Sequence, residues 1–215
     1  MQLQQKTLYE SFDVDVASPF NYQYRCSLRE IIMMNRKTIE EAAFKLFREK
    51  GYEAVKVQDI CDECQITKPT FYHYVASKDD LLVSYYNAAV NALEERITLA
   101  QDEDPLTQLS GAYRVLIDQS EKIGPELLGR ILIINLQKNS GSFDKRATIS
   151  QTMAELIAKA QEKHAILNIS DPHELYRASA YLFQGYELMW CVNQGKSDWR
   201  FGFMSSLEAL LLPRY

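Results

Sequence analysis

The sequence predicts an all-α protein of about nine helices, with a small three-helix unit followed by a larger helical body. Three observations carry this. Apolar residues recur at helical intervals along most of the 215-residue chain, and no stretch shows the strict alternation of a half-buried strand. Cap and breaker residues punctuate that pattern, among them Gly51, Thr67, Ser77, Gly124-Pro125, Asn139-Ser140-Gly141, Asp171 and Gln194-Gly195. Composition, at 47% apolar and 25% charged, is that of a folded domain with a real core.

Residues 1–26 set aromatic Tyr9, Phe12, Phe20, Tyr22 and Tyr24 among polar and acidic residues, and Asp13 to Pro19 break any helix; a flexible extension is expected. A first helix is expected over 27–50. Ile32, Ile39, Ala43, Leu46 and Phe47 line one side, Glu40, Glu41, Lys45, Arg48 and Glu49 the other, and Gly51 stands at the C′ position. A short helix follows, with Val57, Ile60, Cys61 and Cys64 at i, i+3, i+4 and i+7. After the turn Gln65-Ile66, Thr67 stands as N-cap and Pro69 in the first turn of a second short helix. That helix buries Phe71 and Val75 and turns Lys68, Thr70, Tyr72 and His73 outward. An outer face that is small, cationic and aromatic, propped by a partner helix, suits a DNA major groove.

Ser77 caps a long helix over 78–101 with Leu81, Leu82, Tyr85, Ala89 and Leu93 on its apolar side, and Asp79 and Asp80 complement its dipole. Five more helices are expected over 105–123, 125–138, 143–164, 171–194 and 196–212. The last two are unusually apolar and aromatic.

Net charge is −5 and the sequence pI about 5.3, which excludes a uniformly basic nucleic-acid binder. Residues 25–80 balance 10 Lys/Arg against 10 Asp/Glu, so Arg36, Lys37, Lys68 and Lys78 must share one face to meet phosphates. Cys26, Cys61, Cys64 and Cys191 make no disulfide framework. Cys61 and Cys64 lie on an apolar stripe and are read as small core residues. A zinc half-site lacks its other ligands; a thiol switch stays the alternative. No Gly-rich phosphate loop, G-x-S-x-G or H-E-x-x-H is present, so neither an enzyme nor a metal site is expected. The N-terminus has no secretion signal and no apolar run reaches a membrane span, so the chain is expected in the cytoplasm.

Gly51-Tyr52, Asp59-Ile60, Ile66-Thr67-Lys68, Thr70-Phe71-Tyr72-His73-Tyr74 and Ser77-Lys78-Asp79-Asp80-Leu81-Leu82 resemble the helix-turn-helix of the TetR family of bacterial transcription regulators, over about residues 35–82. Beyond the N-terminal extension (1–26), the resemblance implies a DNA-binding head (27–82) and a ligand-binding and dimerisation body (83–215). It implies a ligand-responsive repressor acting as a homodimer on a pseudo-palindromic operator, with a small apolar or aromatic effector and no cofactor. Alternatives are a thiol-responsive regulator and a helical interaction protein that does not bind DNA. The expected DNA-binding residues are Arg36, Lys37, Gln58, Thr67, Lys68, Pro69, Thr70, Tyr72, His73 and Lys78. Lys68 and Thr70 suit base edges, Tyr72 a phosphate or a thymine methyl, and Thr67, His73 and Lys78 phosphates. Tyr86, Tyr113, Phe143, His164, Tyr181, Phe183 and Trp190 are expected to line a ligand pocket. Leu175, Leu182, Tyr186, Met189, Phe203, Leu207 and Leu211 are expected in the dimer interface. Two departures stand out: Lys56-Val57 where the family has a Thr or Ser cap, and Gln65 where its turn has Gly.

Overall fold

A computed structural model describes residues 35–87, 104–138 and 147–214. The expected extension 1–26, residues 27–34 with Ile32, the Ala89–Leu93 part of the long helix, and Phe143 lie outside the described residues.

The head consists of α1 (Arg36–Lys50), α2 (Val57–Glu63) and α3 (Lys68–Tyr74), followed by helical residues 78–87, here α4. α1 starts later than the periodicity suggested. Asn35 is extended (φ −139°, ψ 169°) and its side chain accepts the Thr38 N–H at 3.0 Å, which caps the helix there. Ile32 lies a helical interval before Ile39, and that interval carried the expectation past the cap. At the other end Gly51 takes φ 82° and donates its N–H to Phe47 O at 3.0 Å. Ile39, Ala43, Phe47, Ile60, Cys61, Phe71, Val75, Leu81 and Leu82 form the buried interior of this unit. Packing of the head continues past residue 82, because Tyr85 stacks on Phe44 with ring centres 3.7 Å apart.

The body holds α5 (Pro105–Ile123), α6 (Pro125–Lys138), α7 (Ala147–Glu162), α8 (Pro172–Val192) and α9 (Trp199–Leu211). α8 packs on α6, α7 and α9, and α5 packs on α6 and α7. Asp104 and Asp171 cap α5 and α8, each accepting two main-chain N–H groups. α9 begins at Trp199 rather than 196. Gln194 and Gly195 both take positive φ (54° and 78°), and Asp198 then caps by accepting the Phe201 N–H at 3.1 Å. The chain end is pinned to the α7–α8 loop by a bridge between Ile166 and Pro213.

Gly202 of α9 packs closely against Tyr186 of α8. A Cβ there would sit 2.7 Å from Tyr186 Cε1, and the Tyr186 hydroxyl is held by Ser206 at 2.8 Å, so the ring cannot step aside cheaply. Alanine is the better helix former by about 1 kcal/mol, but overpacking at such a contact costs ~1–3 kcal/mol. Gly202→Ala should therefore lower the midpoint of thermal unfolding, read by circular dichroism; an unchanged or raised midpoint would show that the ring yields. Among the described residues no helix is long and apolar enough to cross a membrane.

Candidate nucleic-acid interface

The reading surface is built from two seven-residue helices. Lys56 precedes α2 in the cap position. Its ammonium can accept nothing, and instead Asp59 reaches back to accept the Lys56 N–H at 2.6 Å. The turn closes through Ile66 N–H to Cys61 O at 2.9 Å, with Gln65 held at φ 53°. Where the family's turn has Gly, Gln65 thus takes the left-handed conformation, at the cost of some strain. Thr67 caps α3: its Oγ1 accepts the Thr70 N–H at 3.3 Å and lies 2.9 Å from Thr70 Oγ1.

Phe71 is wholly buried and Val75 1% exposed beneath α3, whereas Lys68, Pro69, Tyr72 and His73 face solvent. The Tyr72 ring, 55% exposed, stands edge-on to Phe71 at 5.3 Å. Thr67 is exposed too, while Thr70 is half-buried with its hydroxyl shared with the cap. Gln58 is exposed on α2 with its amide donating to Asp62 at 2.7 Å, and Lys37 is exposed near Glu41.

Two of the expected phosphate cations are used inside the protein. The Arg36 guanidinium donates to Glu40 at 2.8 Å, to Tyr74 O at 3.3 Å and to Asp80 at 3.1 Å. The Lys78 ammonium donates to Tyr52 O at 2.7 Å and Val55 O at 2.9 Å and lies 3.9 Å from the centre of the Tyr52 ring. Burial lowers the Lys78 pKa from its ordinary value, partly offset by Glu53 and Asp79. Of the four cations expected to gather on one face, Lys37 and Lys68 are the exposed pair.

The cysteine pair follows the bland expectation in its packing. Cys61 is buried and Cys64 half-buried, and burial raises both thiols above their ordinary values, with Asp62 adding to the first and Cys61 to the second. Cys191 in the body is pushed up to about 12 by burial and by Glu187. Thiols so shifted hold little thiolate near neutral pH.

Residues 39–85 match the family model of bacterial regulatory proteins, tetR family, which spans α1 through most of α4. The chain is 30% identical over 141 residues to the uncharacterised HTH-type transcriptional regulator YuxN of Bacillus subtilis, a stretch covering 62% of this chain and 45% of YuxN. The chain thus spans under half the length of that curated relative. Its fold is similar to that of Thermus thermophilus FadR, a TetR-family repressor solved with lauroyl-CoA. The TM-score is 0.64 at 23% identity, covering 82% of this chain and 93% of FadR. The head, over residues 39–85, belongs to the tetR family of bacterial regulatory proteins. The fold is also similar to that of AibR, solved with isovaleryl coenzyme A and operator DNA (TM-score 0.51, 20% identity, 83% of this chain and 99% of AibR).

In the body the described residues among those expected around a ligand do not all converge. Tyr113, Phe183 and Trp190 are buried in a packed aromatic cluster with Trp199 and Phe203, and Tyr113 is hydrogen-bonded to Ser179 at 2.6 Å. Tyr86 is buried on α4. His164 is exposed just beyond α7 at φ 55°, a helix-end position. Tyr181 is 65% exposed on the outer side of α8. A half-open cleft of about 320 Å³ lies instead between α5 and α9, bordered by Leu106, Arg114, Met204, Leu207, Glu208 and Leu211.

The expected interface residues also separate. Leu175, Phe203, Leu207 and Leu211 are buried within the protomer, Leu182 and Tyr186 are half-buried, and Met189 is 53% exposed. These two helices are apolar on more than one side, so spacing alone did not tell inner from outer face. The outward apolar residues are Tyr181, Leu188, Met189 and Val192 on α8 and Phe201 on α9. Tyr181, Leu188 and Val192 fall at i, i+7 and i+11, one stripe.

Proposed function

We propose that this chain is a transcriptional repressor that binds a pseudo-palindromic operator as a homodimer and releases it when a small molecule binds the body. The observation that carries the reading is α3: seven residues, capped by Thr67, rooted by Phe71 and Val75, with Lys68, Tyr72 and His73 turned outward. A surface of this size and chemistry fits a major groove, and two copies related by a twofold axis reach successive grooves. The operator DNA held by AibR supports the same reading. Lys68 and Tyr72 are its main contacts, with Thr67, Pro69 and His73 beside them and Lys37 and Gln58 at the flanks. Arg36, Lys78 and Thr70 are assigned to holding the head together.

The homodimer forms through the outward stripe Tyr181, Leu188 and Val192 with Met189 and Phe201, an apolar patch that a lone soluble subunit would leave wet. FadR and AibR each hold an acyl-CoA; for this chain a small apolar or aromatic effector is proposed, in the cytoplasm, with no catalytic step. Such an effector acts only by its differential affinity for two head arrangements.

Mobility shift on DNA upstream of its own gene tests the reading. The parent should retard a discrete fragment. Lys68→Ala with Tyr72→Ala should weaken binding on the order of a hundredfold, taking ~1–3 kcal/mol for each good contact. Equal retardation by parent and variant removes the assignment.

A further inference from the structure

α6 is a body helix, yet its side chains close on the head. Two cations approach the Tyr52 ring, which is 2% exposed: the Lys78 ammonium of the head, 3.9 Å from its centre, and the Arg130 guanidinium of α6, 5.3 Å from it. The Tyr52 hydroxyl donates to Asp79 in the first turn of α4. Arg130 lies 3.7 Å from one Asp79 oxygen and 3.6 Å from Glu53, and Lys138, at the end of α6, lies 3.3 Å from the other Asp79 oxygen. Glu126, in the first turn of α6, accepts the Tyr52 N–H at 3.4 Å. Three turns of one body helix therefore hold the α1–α2 loop and the start of α4.

The grip reaches the reading helix through a short path. Residues 75–77 alone separate α3 from α4, and Arg36 spans that link by bonding Tyr74 O on one side and Asp80 on the other. A link so braced makes α3 move with the first turn of α4. Burial opposes ionisation of Asp79, but hydrogen bonds from Tyr52 and Lys138 and the charge of Arg130 hold its carboxyl below the ordinary value. The cluster is thus charged under physiological conditions and is screened less than an open surface pair.

We propose that Arg130 and Lys138, on the body helix α6, are positioning residues for DNA recognition: by holding Asp79 and Tyr52 they set the angle at which α3 is presented, without touching DNA. This rests on the operator-binding reading above. A dimer with two heads at a set angle discriminates half-site spacing, and loosening each head relaxes that discrimination before it removes affinity.

The test uses the full chain and duplexes selected by the parent from a random library, then re-made with the half-site spacing changed by single base pairs. Arg130→Met with Lys138→Met should cut the affinity ratio between native and altered spacing at least about tenfold, with the slope of log affinity against log salt unchanged. Asp79→Asn, which leaves α6 intact, should do the same. Arg130→Lys with Lys138→Arg should restore the ratio. Lys68→Ala, as a contact residue, should instead weaken all spacings alike. An unchanged spacing ratio in both weakened forms overturns the proposal, and so does a shallower salt slope, which would make Arg130 or Lys138 a phosphate contact. If the parent selects no duplex, the operator-binding reading fails and takes this one with it. If the parent selects and the variants keep its spacing ratio, this one fails alone.

Discussion

Phe71→Ala should abolish operator binding by disordering the reading surface while the body stays folded. Phe71 is 0% exposed and is the one residue of α3 that is fully buried. Truncating a buried phenylalanine costs ~3–5 kcal/mol. A seven-residue helix has almost no stability of its own, since isolated helices shorter than about 12–15 residues are marginal in water. α3 therefore stays in place only while Phe71 and Val75 hold it against α1, α2 and α4. Hydrogen exchange checks this region by region. Amides over 57–75 should lose protection while those of α7, α8 and α9 keep theirs, and the mobility shift should vanish. Retained protection over 57–75 with retained binding would mean that the surface is supported elsewhere.

The parts of this protein that could be read from its sequence are those held by near neighbours. The α3 surface falls in a window of a few residues: Thr67 caps Thr70, Pro69 sits in the first turn, and Phe71 and Val75 point one way. α5 and α6 begin at Asp104-Pro105 and Gly124-Pro125, where a proline allows little latitude, and both ends agree with expectation. The ion partners were illegible for the opposite reason. Lys78 finds carbonyls 23 and 26 residues away, and Arg36 finds Tyr74 and Asp80 at separations of 38 and 44. A lysine or arginine spelled out in sequence says only that a charge is available. Whether it faces solvent or closes a loop depends on tertiary pairing. The same applies to Arg130 and Lys138, which no local motif marks.

Phe203→Ala separates the inner from the outer face of the last two helices. The family resemblance, applied to the helical spacing of the last two helices, put Phe203 in the subunit seam. The structure encloses it entirely, with ring centres 4.9 Å from Tyr113, 5.2 Å from Phe183 and 6.2 Å from Tyr186. Its loss should therefore empty the protomer's own core, costing ~3–5 kcal/mol and lowering the unfolding midpoint by about 10 °C. Phe203→Leu, which keeps most of the volume, should cost less than about 2 kcal/mol. The midpoint of both variants should respond to protein concentration as the parent's does, because the proposed subunit contact is untouched. Val192→Glu should behave in the converse way. Val192 is 63% exposed on the outward stripe, so a carboxylate there is solvated in a lone subunit and desolvated against a second copy. Light scattering should then report a monomer whose core retains its near-ultraviolet circular dichroism. Were Phe203→Ala to dissociate the dimer with its core intact, the two faces would have to be exchanged.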